Sequence, residues 1–224
     1  MKKKIVYILG FIFLLVNQLN AQEKINQFDL NGKRDGVWKK YYSNKNIRYQ
    51  GTFKSGKEVG VFKYYSIISS KHPTIIKTFS EKSDLAKVNF YTFEGVLESF
   101  GEMKGKNRIG TWLYYYPDKT LMIEENYKNG LLDGTYKSFY KTGKPNEIFN
   151  YTAGKLNGNA KRYADNGSIL EDLYYKNGKL EGEAKYYNIN GELIYYGNYE
   201  NDEKVGKWKY VIKEENETNN KLKQ

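Results

Sequence analysis

The chain has 224 residues, a formal net charge of +11 and 23 tyrosines, and it contains no cysteine. Without cysteine it can form neither a disulfide nor a thiolate metal site, and it cannot carry a lipid on a cysteine after a signal peptide. Its 21 glycines, 3 prolines and many aromatic residues are typical of short strands joined by turns rather than of a compact Leu/Ile core.

The first 21 residues have the order of a secretory signal peptide. Three lysines at positions 2–4 precede an apolar run from Ile5 to Val16, and the small residue Ala21 offers a cleavage point. As a helix this run reaches only about 18 Å, against about 30 Å of hydrocarbon, so a cleaved signal is favoured over a membrane anchor. Cleavage after Ala21 removes three lysines and no acid, which lowers the net charge from +11 to +8. We therefore expect a periplasmic or secreted protein that is not a lipoprotein.

From residue 36 the sequence repeats with a period of 24 residues. The repeat has eight anchor positions: Gly36, Gly60, Ala86, Gly110, Gly134, Gly158, Gly182 and Gly206. The spacing is 26 only between 60 and 86, which marks a degenerate unit with an insertion near 61–86. The fifth position after the anchor is mostly tyrosine: Tyr41, Tyr65, Tyr91, Tyr115, Phe139, Tyr163, Tyr187 and Val211. The second position is aromatic in five of eight units, including Trp38, Trp112 and Trp208.

The period predicts an all-β fold, an elongated antiparallel β-meander of about eight repeated hairpins in a single twisted sheet. Each unit supplies two strands, so the array over residues 22–212 would extend roughly 80 Å at about 4.8 Å per strand. The column of tyrosines at position five is predicted to stack as an internal ladder. Positions two and five should point to opposite faces, so either the strand carries a bulge or both faces hold aromatic residues. The polar residues 213–224 are predicted to be a disordered tail.

Three stretches carry a resemblance to a known repeat. They read YKNGLLDGTYKSFYKTGKP at 127–145, YTAGKLNGNAKRYADNGSIL at 151–170 and YKNGKLEGEAKYYNINGEL at 175–193. The unit resembles the MORN repeat in its bacterial variant form, Y-x-N-G-K-x-x-G-x-x-x-x-Y-x-x-x-G-x-L. Proteins that resemble it in this way are often assigned to a YwqK-type antitoxin family. The resemblance therefore implies a partner-binding, antitoxin-like or immunity-like role, which in an exported protein would act on a toxin arriving in the periplasm.

No residue pattern points to catalysis, to a metal or to a cofactor. Gly178 and Gly182 lack the following Lys-Ser/Thr of a phosphate loop and fit a turn. Acids just before the anchor, at Asp35, Asp133 and Glu181, are expected to face water. His72 is the only histidine and precedes a proline in the degenerate unit, which is either a local binding loop or, as we prefer, a tolerated insertion. We expect a protein that is not an enzyme.

Lysine recurs three positions after six of the anchors, on the same strand face as the tyrosine column. The candidate binding face comprises Lys39, Lys63, Lys137, Lys161, Lys185, Lys209, Tyr41, Tyr65, Tyr115, Tyr163 and Tyr187. Such lysines can follow a polyanion, or their stems can cover the rings while their charges keep the sheet soluble. We expect a protein partner. The alternative is an anionic lipid or glycan of the cell envelope, and nucleic acid is disfavoured by export.

Overall fold

The fold is that of a single open sheet. The computed structural model describes residues 24–80 and 82–211, and within them the chain forms antiparallel strands and no helix. The predicted all-β meander is thereby confirmed. The predicted signal peptide and the predicted tail both lie outside the described residues. Among the residues that are described, there is no helix with the length and hydropathy needed to cross a membrane.

The strands pair in chain order from β1 to β18. Their bounds are β1 Gln27–Phe28, β2 Arg34–Tyr41, β3 Ile47–Lys54, β4 Lys57–Tyr64, β5 Ile75–Phe79, β6 Leu85–Tyr91, β7 Leu97–Lys104, β8 Asn107–Tyr115, β9 Leu121–Lys128, β10 Leu131–Leu132, β11 Gly134–Phe139, β12 Pro145–Thr152, β13 Lys155–Tyr163, β14 Ile169–Lys176, β15 Lys179–Leu180, β16 Gly182–Tyr187, β17 Leu193–Glu200 and β18 Glu203–Tyr210. We call each strand position across the sheet a rung. Strands β10 and β11 together occupy one rung beside β9, and β15 and β16 together occupy one rung beside β14. The short β1 pairs with one end of β2 and is not counted as a full rung. Fifteen full rungs remain, which span roughly 70 Å at about 4.8 Å per strand.

Two kinds of connection join the rungs. The tight turns place two residues at positive φ, as Asn177 (φ 53°) and Gly178 (φ 90°) show. This is the backbone that two-residue hairpin turns require, so the YKNGK motif is a turn, as predicted. The opposite edge carries five-residue loops such as 140–144, in which the Tyr140 amide donates to the Lys144 carbonyl.

Strand alternation divides the sheet into two faces. The tryptophan face carries position two of each unit, and its fully buried side chains are Phe62, Val88 and Trp112. The lysine face carries position three. A single-layer sheet has no second layer to cover its rings, so burial on the tryptophan face must come from neighbouring side chains.

Size complementarity between adjacent strands provides part of that burial. Trp112 lies directly over Gly101, where an added Cβ would come within 2.4 Å of the indole ring. Where the second strand instead carries the large Phe149, its partner on the next strand is the small Ala160. The glycine–ring pairing recurs at Gly51–Phe62 and Gly197–Trp208, each with the same 2.4 Å approach.

Cations two positions before the anchor cover the rings from above. The Arg108 guanidinium lies 4.4 Å from the Trp112 ring centroid, and Lys204 Nζ lies 4.2 Å from that of Trp208. Arg108 also donates to the Tyr114 hydroxyl and, at 3.1 Å, to that of Tyr127. Both hydroxyls donate to Glu125 Oε2, at 2.6 Å and 2.8 Å. This network joins β8 to β9 over the fully buried Trp112 ring.

The tyrosine column at position five is not the internal ladder, and that prediction is wrong. These tyrosines lie on the lysine face. The Tyr115 ring stacks on the Phe100 ring with their centroids 6.1 Å apart, and the side-chain amide of Gln50 donates to the Tyr65 hydroxyl at 3.3 Å. Equivalent tyrosines are two strands apart, about 10 Å, which is too far for ring contact. The aromatic ladder instead runs on the tryptophan face, where the ring centroids of Phe62 and Phe53 lie 5.1 Å apart. Both faces hold aromatic residues, and a register shift also occurs between positions four and five of most units.

Tyrosine burial predicts how stability depends on alkaline pH. Burial raises the pKa of Tyr64 and Tyr186, and burial together with Glu125 raises that of Tyr114, above the ordinary value of 10.0. The folded state therefore favours the neutral phenols. Their contribution is complete below pH 10 and is lost as the pH rises above it. We expect tyrosinate absorbance to rise abruptly with the loss of sheet circular dichroism. Gradual ionisation of all tyrosines near pH 10 with the sheet intact would contradict this.

Candidate binding face

One straight row of side chains crosses the lysine face from β2 to β18. Each member is paired directly with the next: Lys39, Gln50, Lys63, Ile76, Asn89, Phe100, Leu113, Glu124, Lys137, Ile148, Lys161, Asp172, Lys185, Tyr196 and Lys209. We call this the face row. It contains all six lysines of the predicted binding face. The five predicted tyrosines stand two residues further along the same strands, or just beyond them.

The second-strand members of the face row were missed from the sequence. Phe100, Glu124, Ile148, Asp172 and Tyr196 recur every 24 residues, but their residue type changes in every unit. A search for recurring residue types therefore finds no column there. The signal that would have found them is hairpin register, since Lys137 pairs with Ile148 and Lys185 with Tyr196, eleven positions later in each case.

Three of the four lysines in the C-terminal half of the face row are matched by carboxylates, whereas Lys209 has no carboxylate within 4 Å in the described part of the chain. Lys137 Nζ lies 3.1 Å from Glu124 Oε1, and Lys161 Nζ lies 3.2 Å from Asp172 Oδ2. Lys185 Nζ lies 2.7 Å from Glu183 Oε2. These pairs are partly exposed and add little stability, but they offset the ammonium charges locally. The predicted line of free positive charge does not exist in this part of the sheet.

The N-terminal end of the face row is more basic. Lys39 and Lys63 flank Gln50 on adjacent strands. Across residues 24–80 and 82–211, no carboxylate oxygen lies within 4 Å of either ammonium group. Six rungs, about 29 Å, separate Lys63 from Lys137, so the lysines form two groups instead of one continuous line.

The middle of the face row is apolar. Its members Ile76, Phe100 and Leu113 are half-buried, and Asn89 among them donates to the Tyr91 hydroxyl at 3.2 Å. We call these apolar residues, with Tyr91 and the stacked Tyr115, the central patch. Asn89 and Leu113, the two positions where the lysine column is interrupted, thus mark an aromatic and aliphatic surface with charged residues on both sides.

The acids before the anchors do not simply face water, which corrects that expectation. Asp35, Asp133 and Glu181 accept the backbone N–H of Ser55, Ala153 and Asn201 at 3.1, 3.0 and 3.1 Å. Each carboxylate thereby joins its unit to the next tight turn, whose first residue has positive φ. These acids have a structural use that explains their recurrence.

His72 lies in the long loop of the degenerate unit. A Cβ built on Gly95 would lie 3.2 Å from its Nδ1, so the imidazole packs against the loop of the following unit. The described residues contain no group of three or more His, Asp or Glu side chains arranged to hold a metal ion.

Comparison with known proteins bears on the repeat itself. A family model described as the MORN repeat variant matches residues 34–55, 108–129, 132–153 and 156–179. Each matched segment covers one hairpin of the sheet, and the segment 108–129 contains Leu113 and Tyr115 of the central patch. No curated protein matches the chain. The chain therefore carries the MORN repeat variant in four places, within one continuous sheet.

Proposed function

We propose that the protein is a non-enzymatic binding scaffold that holds a protein partner on its lysine face. The observation that carries the proposal is the central patch, half-buried apolar and aromatic side chains with charged residues at both ends of the same row. Protein interfaces have this composition, an aromatic and apolar centre with a polar rim. The rigid sheet presents it without needing to fold on binding.

The paired lysines favour a protein over a polyanion. Anionic lipid or glycan would have to compete with Glu124, Asp172 and Glu183 for the C-terminal lysines. A protein partner can instead match the alternating charges one by one. One observation supports the polyanion as a second candidate, namely the pair Lys39 and Lys63 beside Gln50. Binding of that kind would weaken steeply with added salt.

The proposal has two further parts, namely that the protein is exported and that it acts in immunity. Export rests on the sequence of residues 1–21, and cell fractionation checks it. The resemblance to antitoxin-like repeat proteins supports a role in immunity, in which the scaffold would bind a toxin that reaches the periplasm. A repeat fold alone does not specify its partner, so the partner must be captured.

Site-specific photo-crosslinking captures the partner and tests the face. A photoreactive phenylalanine analogue at Phe100, within the central patch, is expected to give one stoichiometric protein adduct in cells. The matched control is the same analogue at Lys40, which is exposed on the tryptophan face. That position is expected to give no such adduct. Equal adducts at both positions, or none at Phe100, would contradict the proposal.

A further inference from the structure

An open cleft lies at the loop edge of the sheet in the degenerate unit. Its volume is roughly 740 Å³, within the range of ligand pockets. Aromatic walls come from Tyr42, Tyr65, Phe90 and Phe93, with Arg48 and Glu98 among the remaining lining residues. Tyr65 belongs to the lysine face, whereas Tyr64, Ile75 and Phe90 belong to the tryptophan face, so residues of both faces line the cleft at the loop edge.

A side chain that bridges adjacent loops in three other units is missing at the cleft. In those three units the residue six positions after the anchor is a tyrosine that bridges to the next loop, as Tyr140 does by donating to the Tyr163 carbonyl at 2.7 Å. Tyr42 and Tyr116 make the same bond. The degenerate unit has Ser66 at this position, which leaves the space of the ring empty.

The loop of the degenerate unit also differs in length. It runs from 65 to 74, ten residues against five in the regular loops. His72 packs on Gly95 and so holds the loop against its neighbour, which keeps the cleft open.

The rim of the cleft is apolar and exposed. Ile68 is 76% exposed and Phe93 is 52% exposed, and the neighbouring Ile67 is 49% exposed. Clustered exposed apolar side chains beside a cavity mark an interaction site.

Charge at the two ends of the cleft indicates how an occupant would lie. Arg48 is exposed, and in the described part of the chain no carboxylate lies within 4 Å of it. Glu98 stands on β7, four rungs from Arg48 on β3, or about 19 Å. An extended peptide covers this distance with about six residues.

We propose that this cleft binds an extended segment of a protein partner. An aromatic or branched aliphatic side chain of the segment fits between Phe90, Phe93 and Tyr65, and an acidic residue of the segment pairs with Arg48. The inference rests on the proposed protein-binding function and adds the site and chemistry of one contact. The degenerate unit is thereby a binding loop rather than the tolerated insertion that we preferred from the sequence.

A displayed library of random heptapeptides provides the probe. Selection on the whole protein is expected to enrich peptides in which Asp or Glu stands within a few residues of Phe, Trp or Leu. A synthetic fluorescent copy should bind with one-to-one stoichiometry. Failure to enrich any peptide over selection on the Ser66→Tyr variant would overturn the proposal.

Ser66→Tyr is the decisive variant because it introduces the residue that three other units carry at this position, as Tyr42, Tyr116 and Tyr140, and places its ring in the cleft. We expect this variant to unfold with the same midpoint as the parent protein and to bind the peptide at least tenfold more weakly. Arg48→Gln should remove the preference for the acidic residue, and Phe93→Ser should also weaken binding. Ile189→Ser is the matched control, since it removes an exposed apolar residue at the repeat position of Phe93, outside the cleft. Unchanged affinity in folded Ser66→Tyr would refute the site.

Two comparisons separate this inference from the scaffold proposal. If the partner captured at Phe100 binds Ser66→Tyr as well as the parent protein, the cleft proposal is wrong and the scaffold proposal stands. If the cleft binds peptide while Phe100 captures nothing, the assignment of the lysine face fails instead. Anionic vesicles or an acidic oligosaccharide that bind in a Ser66-dependent way, without competition by peptide, would show a different occupant and overturn the proposal.

Discussion

Trp112→Ala is expected to lower the free energy of unfolding by about 3–5 kcal/mol, the usual cost of removing a large buried aromatic side chain. Trp112 is fully buried and packs with Ala86 and Val88, against the half-buried Phe90 and Tyr114. Its removal leaves a cavity in a single-layer sheet and exposes the neighbours that it covers. Urea unfolding followed by circular dichroism measures the loss.

A second substitution tests whether strand-to-strand size complementarity is the cause. Gly101→Leu alone should also destabilise, because a side chain there meets the indole ring. Combined with Trp112→Ala, it recreates the natural pairing of Leu173 with Ala184. We expect the double variant to be more stable than the sum of the two losses predicts, with a coupling of about 1–3 kcal/mol. Strictly additive losses would show that the two positions do not share one space.

Arg108→Ala is expected to lower the free energy of unfolding by about 2–3 kcal/mol. The guanidinium donates to two tyrosine hydroxyls, lies 3.7 Å from Glu125 Oε2 and covers the Trp112 ring. The loss of hydrogen bonds from a charged group and the loss of a cation–π contact together account for the expected decrease in the free energy of unfolding. Denaturant unfolding at neutral pH measures it.

Arg108→Lys is the matched control. A lysine already covers the equivalent ring in the last unit, where Lys204 lies over Trp208. It should keep the cation–π contact and lose part of the hydrogen-bond network, so we expect a loss of about 1 kcal/mol. An effect of Arg108→Ala within about 0.5 kcal/mol, as for an ordinary surface residue, would show that the network does not stabilise the sheet.

The period made the fold predictable. Glycine and Asn-Gly signals set the turns, and alternation correctly placed Lys137 and Tyr163 on the same face. Hairpin register was not available from the period alone, so the partners Glu124 and Asp172 of the lysines were missed. The tyrosine column was wrongly predicted to form the internal ladder, because equivalent residues of successive units stand two strands apart and their rings do not meet.

Features that depend on how side chains fill space could also not be predicted from the sequence. Gly101 is informative only once it is known to lie beneath Trp112. Ser66 is likewise uninformative until the structure shows that it lines the cleft, at the position where three other units carry a bridging tyrosine. The degenerate unit was therefore predicted to be a tolerated insertion, although it forms a cleft of roughly 740 Å³ with an apolar rim.

The most direct measurement of the scaffold proposal is the affinity of the captured partner for Leu113→Lys. This substitution places the commonest residue of the repeat position, next to Glu124, and should leave the fold intact. It also puts a charge into the central patch. We predict binding at least tenfold weaker, whereas exchanging Lys137, Lys161 and Lys185 together for Gln should change it less than about threefold, since a well-packed interface centre contributes most of the energy. The reverse pattern, with unchanged binding by Leu113→Lys and loss in the triple variant, would contradict the account.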